Sequence, residues 1–363
     1  LVPQLADNQS DERLARVGVM RRITSRPEVG ALVGALAVAL LFSAIDSDFR
    51  SIRGVARVLD PASTLGIMGI AVALLMIGGE FDLSAGAVTG STGLLMGMLA
   101  AEAGWNVWPA LLVSFLFAMV VGLINGILVV RTRLPSFIIT LATFFALRGI
   151  NVGVTRLVTN EVRVSGIDDA AGYTLARDFF NTEFVLGETT FRTSTIWWIV
   201  LMLIATWVLQ RTRYGSWIFA AGGDPTAARS VGVPVDRVKI ALFMTTAGAA
   251  WLVGTMTALR LRSALASQGV GDEFVYIIAA VTGGCRLTGG YGSVIGASIG
   301  ALIFGMTRVG IVFAGWDTDW FYSFLGLMLL AAVLLNSFTQ RQAERVRVPQ
   351  VQPGSLDLLE EDQ

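Results

Sequence analysis

Apolar stretches close to the length of a bilayer crossing recur along most of this 363-residue chain. A hydrocarbon core about 30 Å thick takes roughly 20 helical residues. The candidate spans are 29–45, 62–77, 86–101, 108–130, 135–154, 194–210, 240–259, 273–285, 292–313 and 320–336. The third and eighth are the weakest, being rich in Gly, Ser and Thr or interrupted by Gly. Composition agrees with a bilayer-embedded chain: 54% of residues are apolar and 15% charged, with a mean hydropathy of +0.67. Soluble domains carry about 25% charged residues. The expectation is an all-α, polytopic membrane protein with about ten transmembrane helices.

What is missing narrows the chemistry. There is no histidine, which excludes His-assisted nucleophilic triads and His-ligated zinc or haem. The single cysteine, Cys285, permits neither an internal disulfide nor a cysteine metal cluster. Lys239 is the one lysine, and it sits in Val235-Asp236-Arg237-Val238-Lys239-Ile240. A phosphate-binding loop needs Gly-x-x-x-x-Gly-Lys-Ser/Thr, so this chain carries no such ATPase site. If ATP drives it, another subunit binds the nucleotide. Zero net charge gives no overall basic footprint for nucleic acid. No paired carboxylates or nucleophile–base set stands out within the spans, so no catalytic or metal residue is assigned.

Charge placement orients the spans. With the amino terminus inside, the segments 1–28, 131–134, 211–239, the turn at Arg286 and 337–363 hold 16 basic residues, against 9 in the outer segments 46–61, 155–193 and 260–272. That split follows the positive-inside rule. It yields a cytoplasmic amino-terminal tail (1–28), a transmembrane domain (29–336) and a cytoplasmic carboxy-terminal tail (337–363). Within the domain, 155–193 is an extracytoplasmic segment, expected as solvated loop, and 211–239 a cytoplasmic loop. The first span is expected to act as an uncleaved anchor.

Two glycine-rich stretches echo each other. Residues 78–90 include Gly78, Gly79, Asp82, Ser84 and Gly86; residues 283–296 include Gly283, Gly284, Gly289, Gly290, Gly292 and Gly296. Both read Gly-Gly, a polar run, Leu-Ser/Thr, then Gly-x-Val-x-Gly. Glycine this dense at membrane depth either lets helices approach closely or breaks a helix where backbone lines a cavity. Broken helices in corresponding parts of a chain point to a transport pathway.

The loop 211–239 contains its own helix signal. Asp224 suits an N-cap, Pro225 the first helical position, and Gly232 a left-handed stop before Pro234. The spacing predicts a two-turn helix through Thr226, Ala227, Ala228 and Arg229. A helix so short is marginal alone in water and is expected to dock.

These residues resemble the permeases of ATP-binding-cassette importers for simple sugars, the ribose, xylose, arabinose and fructose group. The resemblance rests on Gly79-Glu80-Phe81-Asp82-Leu83-Ser84, Gly122-Leu123-Ile124-Asn125-Gly126 and Leu134-Pro135-Ser136-Phe137-Ile138-Ile139-Thr140-Leu141. It continues through Arg148-Gly149, Arg213-Tyr214-Gly215, residues 222–229, Gly269-Val270-Gly271-Asp272-Glu273 and the glycine cluster 283–296. It implies the importer permease fold and a multi-pass place in the bacterial inner (plasma) membrane. It further implies a second permease subunit, a cytoplasmic ATPase subunit that binds ATP and Mg, and an extracytoplasmic sugar-binding protein. Transport would proceed by alternating access. The segment Thr226-Ala227-Ala228-x-x-x-Gly232 is similar to the family's coupling loop, with Thr226 where Glu is usual. In the ninth span Thr307-Arg308-Val309-Gly310 departs from the family's Asn-Gly pair. An arginine within a span needs a partner, water or a route to the interface. Candidate pathway residues are Asp82, Ser84, Phe137, Phe144, Asn151, Glu273 and Arg308. The alternatives are a permease for branched-chain amino acids or nucleosides, and a gradient-driven secondary transporter.

Overall fold

The computed structural model describes residues 27–327 and Leu330. Both predicted tails, apart from Pro27 and Glu28, and about half of the tenth span fall outside those residues. The described helices are α1 (Pro27–Ile45), α2 (Ile52–Ile77), α3 (Ala85–Gly97), α4 (Val107–Thr132), α5 (Ser136–Thr159) and α6 (Tyr173–Asn181). They continue as α7 (Thr193–Arg211), α8 (Arg213–Gly223), α9 (Pro225–Ser230), α10 (Val235–Leu261), α11 (Asp272–Thr282) and α12 (Val294–Phe313), and residues 320–327 are also helical.

Seven of these, α1, α2, α4, α5, α7, α10 and α12, are long and apolar enough to cross a membrane. The third and eighth predicted spans fall short. Helix α3 has 13 residues, prolonged by a five-residue π turn at Met98–Glu102, and α11 has only 11. At 1.5 Å per residue α11 reaches about 16 Å, roughly half a bilayer core.

Local chemistry sets the boundaries. Ser51 caps α2 by accepting from the Gly54 N–H at 3.0 Å, and Asn106 caps α4 by accepting from the Trp108 N–H at 3.0 Å. Helices α4, α5 and α10 each end on a left-handed residue, Arg133, Asn160 and Arg262 respectively. Helix α2 starts ten residues before its predicted apolar run, and Pro61 lies inside it.

Helices α2 and α10 form the centre. In α2, 78% of the most apolar window is buried, whereas in α1 only 17% is. Helix α10 packs against α4, α3 and α2; helix α2 packs against α12, α7 and α11. Helices α1 and α5 lie at the periphery and turn Leu32, Leu36, Leu40, Phe145 and Ile150 outward, which suits an acyl-chain environment.

The connections gather at two opposite ends. At one lie 78–84, 133–135, 212–234 and 283–293. At the other are 160–192, 262–270 and four short strands: β1 (Arg163–Ser165), β2 (Glu183–Leu186), β3 (Thr189–Arg192) and β4 (Ser263–Leu265). Strand β1 pairs antiparallel with β4, Val164 opposite Ala264, and β2 with β3 in a hairpin, Phe184 opposite Phe191. The segment 155–193 is therefore folded, not plain solvated loop. Tyr173 Oη donates to the Leu259 carbonyl at 2.8 Å and Asn181 Nδ2 to the Met256 carbonyl at 3.1 Å, stapling α6 to α10. Trp108, Phe179, Phe180, Trp197 and Trp251 form a contiguous aromatic set here. Aromatic residues collect at the membrane–water boundary in this way.

Candidate functional site

Three glycine pairs from distant parts of the chain meet at the first of these ends. Gly78-Gly79 closes α2, Gly222-Gly223 closes α8, and Gly289-Gly290 lies in the turn before α12. The Gly290 N–H donates to the Ile77 carbonyl at 2.9 Å. A Cβ on Gly79 would stand 3.1 Å from Gly222 Cα, and one on Gly289 would stand 2.7 Å from Gly79 Cα. Real Cβ atoms essentially never come within 3.0 Å of another heavy atom, so at Gly289 and Gly290 the backbones meet with no space for a side chain. Gly79, Gly289 and Gly290 also take positive φ angles, 84°, 80° and 70°. Such angles are cheap only for glycine. Both expected uses of glycine, helix breaking and close approach, occur together.

The short predicted helix grows directly from this junction as α9. Asp224 caps it, its Oδ1 accepting from the Thr226 and Ala227 N–H groups at 2.9 and 3.0 Å. Pro225 holds the first helical position and Gly232 takes φ +85° after the end. Arg229 pairs with Asp236 at 2.7 Å, tying α9 to the start of α10. Ala228 is buried against the protein's own helices, whereas Thr226, Ala227 and Arg229 are exposed and Val231 is 80% exposed. Only part of the predicted docking face is therefore free.

Next to the junction, the loop 78–84 enters the helix bundle carrying polar groups. Lys239 and Glu80 form an ion pair in which both side chains are mostly covered. The single lysine thus has its partner 159 residues away in the sequence. Asp82 Oδ1 accepts from the Ser84 N–H at 2.8 Å and from its hydroxyl at 2.5 Å. Asn125 Nδ2 donates to Ser84 Oγ at 2.9 Å, and Thr143 Oγ1 to Asn125 Oδ1 at 2.7 Å. Ser136 and Thr140 accept from the Phe81 and Leu83 N–H groups. This network satisfies the backbone where α2 stops and α3 has not begun, as buried polar groups require. Sequence reasoning missed Thr143 and the network role of Asn125, Ser136 and Thr140; the motifs Gly122–Gly126 and Leu134–Leu141 were the signals available.

A second non-helical stretch, 266–271, runs from β4 along the first turns of α3. A Cβ on Gly86 would lie 3.2 Å from Glu273 N, and one on Gly90 would lie 3.5 Å from Gln268 Cβ. Gly269 and Gly271 take φ +78° and +96°. Helix α11 therefore starts partway along the bundle, with Asp272 and Glu273 in its first turn. Glu273 is buried, its carboxylate accepting from the Gly271 N–H at 3.0 Å, and Arg148 of α5 lies within electrostatic reach. On the far side of α11, Gly283 and Gly296 press together, which seats it on α12. A Cβ on Gly292 would stand 2.7 Å from Cys285 Sγ, and Gly284 takes φ +92° in the same turn. In that turn the Arg286 guanidinium lies 4.5 Å from the Tyr291 ring. Burial raises the Tyr291 phenol above its usual range while Arg286 opposes the shift. Ser293 Oγ donates to Glu28 Oε1 at 2.6 Å, joining the turn to α1.

The predicted pathway residues do not share one cavity. Asp82 and Ser84 belong to the buried network. Asn151 accepts from Ser91 Oγ at 3.0 Å between α5 and α3. Phe144 is buried, and Phe137 is half exposed at the start of α5. Arg308 is exposed on α12 and lies within electrostatic reach of Asp272, the neighbour of Glu273. What the structure does bring together is one side of the bundle, α3, α4 and α5 with the loop before α11, where buried polar and charged groups concentrate.

Residues 54–333 match the family described as the branched-chain amino acid transport system / permease component. The chain belongs to that permease family. Among curated proteins, this family member is 29% identical to the fructose import permease protein FrcC of Rhizobium meliloti, over 79% of this chain and 78% of that protein. It is 29% identical to the autoinducer 2 import system permease protein LsrC of Photorhabdus luminescens, over 93% and 98%. It is likewise 29% identical to the ribose import permease protein RbsC of Escherichia coli K12, over 86% and 94%. No solved structure matches the permease chain significantly.

Proposed function

We propose that this chain is the membrane-spanning subunit of an ATP-driven importer for a monosaccharide or a related hydroxylated solute. The observation that carries the reading is the junction of the three glycine pairs. Helix α9 projects from the bundle, and its root is packed against both turns that precede α3 and α12. Force applied to α9 reaches those turns through backbone contact. Similarity to importers of fructose, ribose and autoinducer 2 supports a hydroxylated cargo over the amino acids in the family's description.

In this reading the end bearing α9 is cytoplasmic and meets a separate ATPase subunit, which binds ATP and Mg. The strand end faces outward and meets a solute-binding protein. The chain crosses the inner membrane about ten times, counting α3, α11 and the helix from residue 320 with the seven long spans. A second permease subunit completes the pathway, along the polar side formed by α3, α5 and the loop 266–271. ATP-driven closure of the partner ATPases moves α9, and the bundle alternates between inward and outward access.

The test is reconstitution in vesicles with a partner ATPase and a solute-binding protein. ATP-dependent uptake of labelled ribose or fructose, with no leucine uptake, is the expected result. Leucine uptake alone, or gradient-driven uptake without ATPase, would overturn the assignment.

A further inference from the structure

A polar cleft of about 210 Å³ opens at the strand end, between α2, α6, α7, α10 and α12. Its lining comes from α2, α6, α7, α10 and α12 of one chain, with no residue of α3, α4 or α5. Its volume is well below the roughly 300–1,000 Å³ of pockets for drug-sized ligands, so it suits a small solute.

The lining decides the kind of solute. Asp60 takes the Arg260 guanidinium at 2.9 Å and Arg192 at 3.4 Å, both on Oδ1, which fixes its carboxylate at the cleft wall. Arg192 is also held by Glu183 at 2.6 Å, so the hairpin β2–β3 braces this group from above. Arg308 brings a second guanidinium to the lining, within electrostatic reach of Asp272. Thr64 and Thr257 donate their hydroxyl protons to the Pro61 and Val253 carbonyls, at 3.2 and 2.8 Å. Their oxygens therefore offer only acceptor lone pairs to anything in the cleft. Asn181 is 94% buried by its 6% exposure, its Nδ2 is engaged by Met256, and its Oδ1 has no hydrogen-bond donor.

Acceptors and donors thus stand side by side. A carboxylate or phosphate only accepts; it would leave the threonines and Asn181 unmatched and would face Asp60. A hydroxyl donates and accepts at one atom, and several on a small ring satisfy both sets at once.

We propose that this cleft is an outer binding site for a small polyhydroxylated solute within each permease chain, distinct from the pathway shared with a second subunit. The proposal rests on the sugar-import reading given above. The full-length protein in lipid nanodiscs is titrated with D-ribose and D-fructose, following saturation transfer from protein to sugar by NMR. Binding in the millimolar range is expected, weakened at least fivefold in Thr257→Val and in Arg308→Gln.

A reporter of position keeps the result specific. Thr257→Cys is labelled with a maleimide, the native Cys285 being buried, and the same sugars should slow the labelling. Sugar binding that neither substitution weakens, with no protection of the new thiol, places the solute elsewhere and overturns the cleft while leaving the import reading intact. Acetate or inorganic phosphate protecting the thiol where the sugars do not makes it an anion site and also overturns it. Absence of any sugar binding overturns the cleft site too, and uptake in the reconstituted vesicles then judges the import reading on its own.

Discussion

Gly222 and Gly223 are neighbours, yet alanine should act oppositely at the two. A Cβ on Gly222 would overlap the Ile77 carbonyl oxygen, more than an ångström inside the 3.0 Å limit, and would stand 2.8 Å from Gly290 N. Both obstacles are backbone, so no side chain can swing aside. The junction must separate, which costs about 1–3 kcal/mol as overpacking. Separation also stretches the Gly290–Ile77 hydrogen bond, adding about 1 kcal/mol. The expected loss for Gly222→Ala is therefore about 2–4 kcal/mol, or roughly 30- to 700-fold in the folding equilibrium. A Cβ on Gly223 meets only Gly290 Cα at 4.0 Å, an ordinary contact. Gly223→Ala should be neutral or gain up to about 1 kcal/mol from helix propensity. Unfolding of the purified protein in mixed detergent micelles measures both. In vesicles, Gly222→Ala should also lower uptake per ATP hydrolysed, because the root of α9 has moved. Equal effects of the two substitutions, or a neutral Gly222→Ala, would refute the packing argument.

Removing one partner of the covered Glu80–Lys239 pair, as in Lys239→Met, should destabilise by about 3–5 kcal/mol in the same unfolding assay, and the double change Glu80→Gln with Lys239→Met should recover much of it. Asp224→Ala should cost about 1 kcal/mol as a lost helix cap and reduce coupling, read as ATPase activity without matching uptake. Ala227→Asp, on the exposed side of α9, should leave folding unchanged while abolishing co-purification with the ATPase; Ala228→Asp, facing inward, should lower the amount of folded protein itself. Gly86→Ala should displace Glu273 and the 266–271 loop, and reduced uptake with retained ATPase binding is the outcome that checks it.

Much of the helix plan was legible because hydropathy reports what a lipid-facing surface needs. It worked at α4 and α7, where the apolar runs fix both ends within two residues. It failed at the start of α2, where Arg53, Arg57, Asp60 and Pro61 look like a loop. There Ser51 caps the helix and Asp60 is neutralised by Arg192 and Arg260 from distant segments. It also failed at α10, whose first turns hold Asp236, Arg237 and Lys239; two of those charges are paired, with Arg229 and Glu80. Asp224, Pro225 and Gly232 announced α9 because capping is a local affair. The junction behind it was not legible. Glycine pairs separated by more than sixty residues carry no mark in the sequence that they meet. Nor does composition reveal that one face of a six-residue helix is already occupied.

The covered ion pair between loop 78–84 and α10 has a practical side. Lys239 is the only lysine in the sequence, so every other ε-amine is absent from the folded protein. Among side chains an amine-selective reagent finds this one group, and only when Glu80 has let go of it. The rate of that modification is a clock for separation of the loop from α10, readable by mass spectrometry without any engineered label. Run with and without the ATPase and nucleotide, it times the step at which the bundle changes shape.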